Sequence, residues 1–308
     1  MRALVIGFGS IGVRHSKILN ELGCEVRVVS KRKSKTYFCY DNFAKANLDY
    51  KPEYIIVSNS TDKHYNTYLQ IKNSKYDGLT LIEKPIFSKI PKKINFSATS
   101  AFVAYNLRFH PHIQRLTKDL RSETIISINA YVGQYLPNWR KNRDYTSVYS
   151  ALKQKGGGVL RDLSHEIDYV ALISGKWERL AALGGNYSNL KINSDDIFSI
   201  LYEAEHCPVC SISINYLDRY VRRSLIVNTN NFVFEIDFIN KIYKKNKKEI
   251  KIDIDSNFTY KEMHKELISG IYKNACTFSE GLKVVNTIEA AEKSSLSKSK
   301  WIINEKNM

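Results

Sequence analysis

The chain has 308 residues, 43% hydrophobic and 25% charged, and a formal net charge of +16 from 47 Lys and Arg against 31 Asp and Glu. That length suits two domains rather than one small core, and the composition is that of a soluble globular protein. No apolar run is long enough to span a bilayer, and no basic leader precedes a small-residue cleavage site, so a cytoplasmic protein without a membrane partner is expected.

In chain order, "ALVIGF" reads as a strand and "SIGVRHSKILNEL" as a helix with Ile11, Ile18 and Leu22 on one face. Between them, Gly7-Phe8-Gly9-Ser10-Ile11-Gly12 has the spacing of a dinucleotide fingerprint. Gly7 serves the tight turn, Gly9 lets backbone approach a pyrophosphate, and Gly12 allows close helix packing. The helix start at Ser10 and Ile11 then offers its free N–H groups to phosphate. The second strand, "CEVRVVS", runs into Ser30-Lys31-Arg32-Lys33. No carboxylate stands there for a ribose 2′-hydroxyl, so NADP(H) is expected rather than NAD, with Ser30, Lys31 and Arg32 around the 2′-phosphate. A plain solvated basic turn has the same residues. "EYIIVSNS", a helix-like "DKHYNTYLQIKNS", "LTLIEKP" and "TSAFVAYNLRF" complete the alternating rhythm of a doubly wound parallel sheet.

Beyond residue 110 the rhythm changes. A helix "PHIQRLTKDLRS" leads to a long strand "TIISINAYVGQYLP", and strand-like runs follow from about 178 to 253. Short turns between them predict an open, mostly antiparallel sheet. The α/β reading is therefore a Rossmann domain over 1–104 and an α+β domain over 105–308 that ends in the helix "FSEGLKVVNTIEAAEKSS", N-capped by Ser279. Five cysteines include one Cys207-Pro-Val-Cys210 pair. With no second pair to complete a zinc site, the segment reads as a hairpin turning at the proline, and no metal is expected. The basic run "KIYKKNKKEIKID" reads as a solvated hairpin tip. No nucleic-acid recognition pattern appears. The positive balance suits anionic ligands, and it equally suits a surface biased toward Lys, Asn, Ile and Tyr. Residues 156–170, "GGGVLRDLSHEIDYV", place Asp162, His165 and Asp168 at three-residue steps after three glycines. That pattern fits one face of a helix start, or a loop before an ordinary capped helix.

Taken in order, "GFGSIGVRH", "NSTDKHY", "EKP" at 83–85, "YNLRFHP", "GGGVLRDLSHEID" and the final helix make the chain resemble the Gfo/Idh/MocA oxidoreductases, relatives of glucose–fructose oxidoreductase and inositol dehydrogenase. The resemblance implies an N-terminal Rossmann domain, a C-terminal open sheet that shapes the substrate pocket, and a homodimer or homotetramer. It places Lys84 near the nicotinamide and the reacting carbon, where a cation stabilises charge developing on oxygen. It places Ser58, Asn59, His64 and Glu83 along the cofactor cleft, although Asn59-Ser60 stands where many relatives have Thr-Pro. Arg108 would contact substrate. Asp162 and His165 match the family's acidic and histidine positions, three residues apart here rather than the usual four. That spacing leaves the proton carrier open between His165 and Lys84. We assign His165 as acid–base, Asp162 as its orienting partner or a ligand to a sugar hydroxyl, and Asp168 to helix structure. The glycines would let backbone pass close to nicotinamide or substrate.

"GQYLPNWRKNRDY" (133–145) looks like the insert with which sugar-processing members shape the pocket. Trp139 would stack on a sugar face, Arg140 or Arg143 would hold a phosphate or carboxylate, and Asp144 and Tyr145 would bond hydroxyls. The expected activity is NADP(H)-dependent hydride transfer to or from a sugar carbon. The expected sugar is anionic, nucleotide-linked or acidic, and belongs to bacterial surface-glycan (polysaccharide) biosynthesis. The alternatives are a reductase of a non-sugar substrate and a catalytically silent NADP-binding regulator of the same fold.

Overall fold

The structure is a computed structural model that describes residues 1–92, 100–140 and 143–304. It divides into two compact units, Met1–Phe109 with Ser256–Val285 and His110–Asp255 with Asn286–Met308. The first unit begins β1 (Arg2–Ile6), α1 (Ser10–Glu21), β2 (Glu25–Val29), β3 (Phe38–Tyr40), α2 (Phe43–Tyr50), β4 (Tyr54–Val57), α3 (Thr61–Asn73), β5 (Leu79–Ile82) and β6 (Ala101–Val103). The second unit follows with α4 (Pro111–Asp119), β7 (Ile125–Gly133), α5 (Val159–Asp162), α6 (His165–Ser174), β8 (Trp177–Gly185), β9 (Ile197–Ala204) and β10 (Cys207–Asn215). It continues through β11 (Arg222–Thr229), β12 (Val233–Asp237), β13 (Ile242–Lys245) and β14 (Lys248–Lys251). The chain then runs through α7 (Phe258–Ile268), β15 (Cys276–Thr277), α8 (Phe278–Leu296) and β16 (Ile302–Ile303).

β1 to β6 are all parallel, and the first sheet has the order β15-β6-β5-β4-β1-β2-β3. That is the doubly wound order, which reverses direction between β1 and β4. β4 and β5 are buried along their whole length and β1 from Ala3 on, as expected of strands covered on both faces.

The expected boundary at residue 104 moves to 109, and residues 256–285 rejoin the first unit. Apolar burial explains this: Phe109, Met263 and Leu267 lie in one core cluster with Ala3, Val5 and Leu19. β15 then adds an antiparallel edge to β6 through Cys276 opposite Val103. Of the expected last strand, Thr99 lies outside the described residues, and 106–109 is a 3-10 turn.

The second sheet has the order β14-β13-β12-β11-β7-β10-β9-β8-β16, antiparallel except for β7 beside β10. Two local expectations change. The hairpin of β9 and β10 turns at Glu205-His206, and Pro208 lies inside β10, where the register slips between Cys207 and Cys210. Both thiols are free and buried. At α8, Thr277 rather than Ser279 is the cap: its Oγ1 accepts the Glu280 amide while the Glu280 carboxylate accepts the Thr277 amide.

Four buried histidines set the acid sensitivity of the fold. Burial lowers His64, His112 and His264 below the ordinary 6.5, and burial followed by neighbouring His112 and Arg223 lowers His110 to about 3. The unfolded chain therefore binds more protons, and stability is complete above 6.5 and lost as pH falls toward the folded values. The urea midpoint is expected to drop between about pH 7 and about pH 5. His110 Nδ1 accepts the His112 amide at the start of α4. His110→Asn keeps a capping acceptor without the imidazole and should flatten that drop; an unchanged slope would remove His110 from the account.

Candidate active site

In the first unit the fingerprint glycines occupy the turn from β1 into α1. Gly7 has φ +100°, and a Cβ there would lie 2.5 Å from the Asn59 nitrogen. A Cβ on Gly12 would lie 2.0 Å from the Gly7 carbonyl oxygen, whereas one on Gly9 would meet nothing within 4 Å. Gly7 and Gly12 are therefore required by packing, and Gly9 leaves open space before the amides of Ser10 and Ile11. Among the described residues no side chain caps α1, so those amides stay available to an anion. The Ser58 hydroxyl donates to the Gly7 carbonyl at 2.8 Å and fastens the turn to the end of β4.

After β2, the Ser30 hydroxyl accepts the Arg32 amide at 2.9 Å. Lys31 and Arg32 are exposed and form no ion pair among the described residues. Asn59 donates to Thr67 at 2.8 Å, while its buried Oδ1 has no hydrogen-bond partner among the described residues. The open side of Gly9, this acceptor and the two exposed cations fit a phosphate-bearing dinucleotide.

His64 acts as a strap. Its Nδ1 lies 3.1 Å from the Pro85 carbonyl oxygen and its Nε2 3.1 Å from the Asn59 carbonyl oxygen. It thereby links the loop after β4 to the Glu83-Lys84-Pro85 turn after β5, in which Lys84–Pro85 is cis. Glu83 is buried and accepts the Lys84 amide at 3.1 Å; Lys84 is half-buried. Arg108 is 5% exposed and donates to Glu280 at 3.0 Å. The guanidinium expected to meet substrate is held in an ion pair at the start of α8.

In the second unit, Asp162 closes α5 and is buried. Its Oδ2 accepts the Tyr216 hydroxyl at 2.7 Å, and Tyr149 also hydrogen-bonds to it. Burial, then this carboxylate, pushes both tyrosine hydroxyls well above their ordinary value. Trp139 packs edge-on against Tyr216 at 5.2 Å, and Arg140 lies over the Tyr149 ring at 5.8 Å. Leu136, Trp139, Arg140, Arg143, Tyr145 and Ser150 line a shallow, open cleft. Trp139 Nε1 is buried with no hydrogen-bond partner among the described residues.

Most of the expected substrate residues thus sit together, joined to Asp162 by two tyrosines that the sequence did not single out. Asp144 caps a turn of its own. It is exposed and accepts the Thr146 amide and hydroxyl at 2.9 and 2.6 Å, which caps a 3-10 turn. Tyr145 lines the cleft, and its hydroxyl accepts the Lys191 amide at 3.2 Å. His165 is half-buried as the first residue of α6, and Asp168 is buried within that helix.

The glycines of 156–158 have neighbours other than those expected. A Cβ on Gly157 would lie 2.1 Å from the Tyr149 carbonyl oxygen, and one on Gly158, at φ +122°, 2.2 Å from Asp195 Oδ1. Asp195 Oδ2 in turn accepts the Leu160 amide at 2.9 Å and so secures α5.

The chain matches no protein-family model and no curated protein. Solved structures do share its fold. GenD2 from gentamicin A biosynthesis, in complex with NAD, is 15% identical with a TM-score of 0.79 over 99% of this chain and 96% of that one. A myo-inositol dehydrogenase from Corynebacterium glutamicum is 14% identical with a TM-score of 0.78 over 99% of both chains. Levoglucosan dehydrogenase with NADH and L-sorbose is 12% identical with a TM-score of 0.81 over 98% of both. The fold is that of the Gfo/Idh/MocA-type oxidoreductases, as the motifs led us to expect.

Two substitutions separate the roles of the glycines. Gly12→Ala is expected to cost about 1–3 kcal/mol through the backbone shift it forces. Gly9→Ala, with open space around it, should leave the melting temperature unchanged and weaken nucleotide binding. Thermal melts of both variants check this; an equal loss from Gly9→Ala would make that glycine structural.

Proposed function

We propose that the chain is an NAD(P)(H)-dependent oxidoreductase of the cytoplasm, acting on a CH–OH carbon of a sugar. NADP(H) is the preferred carrier, and the substrate is a nucleotide-linked or acidic sugar of bacterial surface-glycan biosynthesis. The observation that carries this reading is the Gly7–Gly12 turn. It stands at the reversal of strand order in the parallel sheet, with Gly9 open before the uncapped α1. Binding of NAD by GenD2, and of NADH and L-sorbose by levoglucosan dehydrogenase, supports the carrier and substrate classes. The preference for NADP(H) rests on Ser30, Lys31 and Arg32 and on the lack of a carboxylate after β2.

The carrier, when bound, supplies or accepts the hydride. Lys84 stabilises negative charge on the substrate oxygen. His165 takes the hydroxyl proton during oxidation and returns it during reduction. Asp162, held by Tyr216 and Tyr149, keeps those rings under Trp139 and Arg140. Arg140 and Arg143 suit a phosphate or carboxylate on the sugar. Across β9, β10, β7 and β11, Leu201, Ser211, Asn129 and Ile226 lie side by side. Exposure of Leu201 and Ile226 on that face supports a homodimer or homotetramer.

Fluorescence titration should show NADPH binding more tightly than NADH, and Arg32→Ala should weaken NADPH alone by about tenfold. Tighter NADH binding would overturn the preference. A screen of nucleotide sugars and acidic sugars should find turnover that Lys84→Ala and His165→Ala each reduce by about a hundredfold or more. Full activity in both variants would overturn these assignments.

A further inference from the structure

A chain of four buried side chains runs through the first unit. Tyr54 Oη lies 2.9 Å from His264 Nδ1, His264 Nε2 lies 2.8 Å from His15 Nδ1, and His15 Nε2 lies 2.8 Å from Glu83 Oε1. Glu83 is 7% exposed and the other three 0%. The members come from β4, α7, α1 and the turn after β5, so the links bridge separations of 210, 249 and 68 residues.

Hydrogen-bond bookkeeping gives the chain a direction. The Tyr54 hydroxyl has no other hydrogen-bond partner among the described residues, so it donates to His264 Nδ1. A neutral imidazole that accepts at Nδ1 carries its proton on Nε2. His264 therefore donates to His15 Nδ1, and His15 donates from Nε2 to Glu83, whose carboxylate accepts. Burial, then neighbouring His15, holds His264 well below the ordinary value, in keeping with a neutral ring. The edge-to-face packing of the two imidazoles, at 88° and 5.0 Å, agrees with bonding through ring edges. The other Glu83 oxygen accepts the Lys84 amide. Because Tyr54 is fully buried, the far end has no outlet to water. The chain holds a geometry rather than conducting a proton.

We propose that His264 is a positioning residue: through His15 it fixes the Glu83 carboxylate on the Lys84 amide, and so holds the Glu83-Lys84-Pro85 turn in the shape that a nicotinamide cofactor requires. This rests on the cofactor reading above. It makes α7, distant in sequence from every nucleotide-binding motif, part of the cofactor machinery.

Two measurements on the full chain test it. Nitrogen-15 NMR of histidine-labelled protein should show His15 and His264 as neutral Nε2–H tautomers; a cationic ring or an Nδ1–H tautomer at either would overturn the direction. Fluorescence titration with NADPH and NADH should show His264→Leu weakening the preferred cofactor by about tenfold, since His15 and Tyr54 lose their buried partner. His264→Gln keeps a donor toward His15 and should bind within about threefold of the unsubstituted chain. A purely structural role would lower the melting temperature of both variants and leave affinity unchanged, which would overturn the proposal. If His264→Leu does not fold, Tyr54→Phe replaces it, removing the terminal donor at constant ring size. Unchanged tautomers and affinity in that variant would equally overturn the proposal. Failure of the unsubstituted chain to bind either cofactor would sink the cofactor reading itself, and would show before any substitution.

Discussion

The first unit depends on one close approach, that of Gly12 to the carbonyl of Gly7. The Cβ position of Gly12 lies 2.0 Å from that oxygen, so any larger residue would push α1 away from β1. The tight contact aims the start of α1 across the ends of β1 and β4, where the strand order reverses. Helix N-terminal amides attract anions through their unpaired donors and the helix dipole. Ser58 locks the turn from the β4 side, and His64 carries the connection on to the turn after β5. One backbone constraint thus organises the loops at the carboxyl ends of three neighbouring strands, β1, β4 and β5.

The second unit has a comparable dependence, with a carboxylate in place of a turn. Gly158 can take φ +122° without a clash, and that leaves room for Asp195 to reach the Leu160 amide. α5 is thereby fixed, and Asp162 at its end is delivered to Tyr216 and Tyr149. A buried carboxylate is costly unless it is hydrogen-bonded, and two tyrosine hydroxyls meet that cost while presenting their rings to Trp139 and Arg140. The glycines of 156–158 serve this packing inside the unit.

Most of the fold was legible because its signals are local. Strand and helix periodicity, the Gly7–Gly12 spacing and the hairpin over 242–251 all lie within a few residues of the features they determine. β3 and α2 left too short a pattern to register. The return of 256–285 to the first unit was hidden for a different reason. Met263 and Leu267 find their core among strands from about 160 to about 260 residues away, and an amphipathic helix does not encode which core it joins. Ser279 looked like a cap because it precedes a run of helix formers, whereas the reciprocal Thr277–Glu280 bonds start the helix two residues earlier. At the site, the chemistry-bearing residue types were visible and their partners were not. Arg108 and Asp144 carry groups suited to substrate, and their hydrogen bonds to Glu280 and Thr146 had no signal in the sequence. Tyr149, in an irregular segment, and Tyr216, at the end of a strand, gave no sequence signal.

The charge balance illustrates how composition and site differ. Three arginines are buried or nearly so and matched by glutamates: Arg108 with Glu280, Arg161 with Glu292, and Arg223 with Glu166. Taking a guanidinium out of water is costly, and the glutamate beside each of these arginines offsets that cost. Much of the excess lies on exposed lysines, where salt screens each charge within about 10 Å. A net charge of +16 therefore says little about the ligand by itself. What bears on an anionic ligand is placement: Lys31 and Arg32 in the turn after β2, and Arg140 and Arg143 at a cleft that also holds a buried indole donor. The proposed phosphate or carboxylate would meet these four cations, and the other charges of the chain do not bear on it.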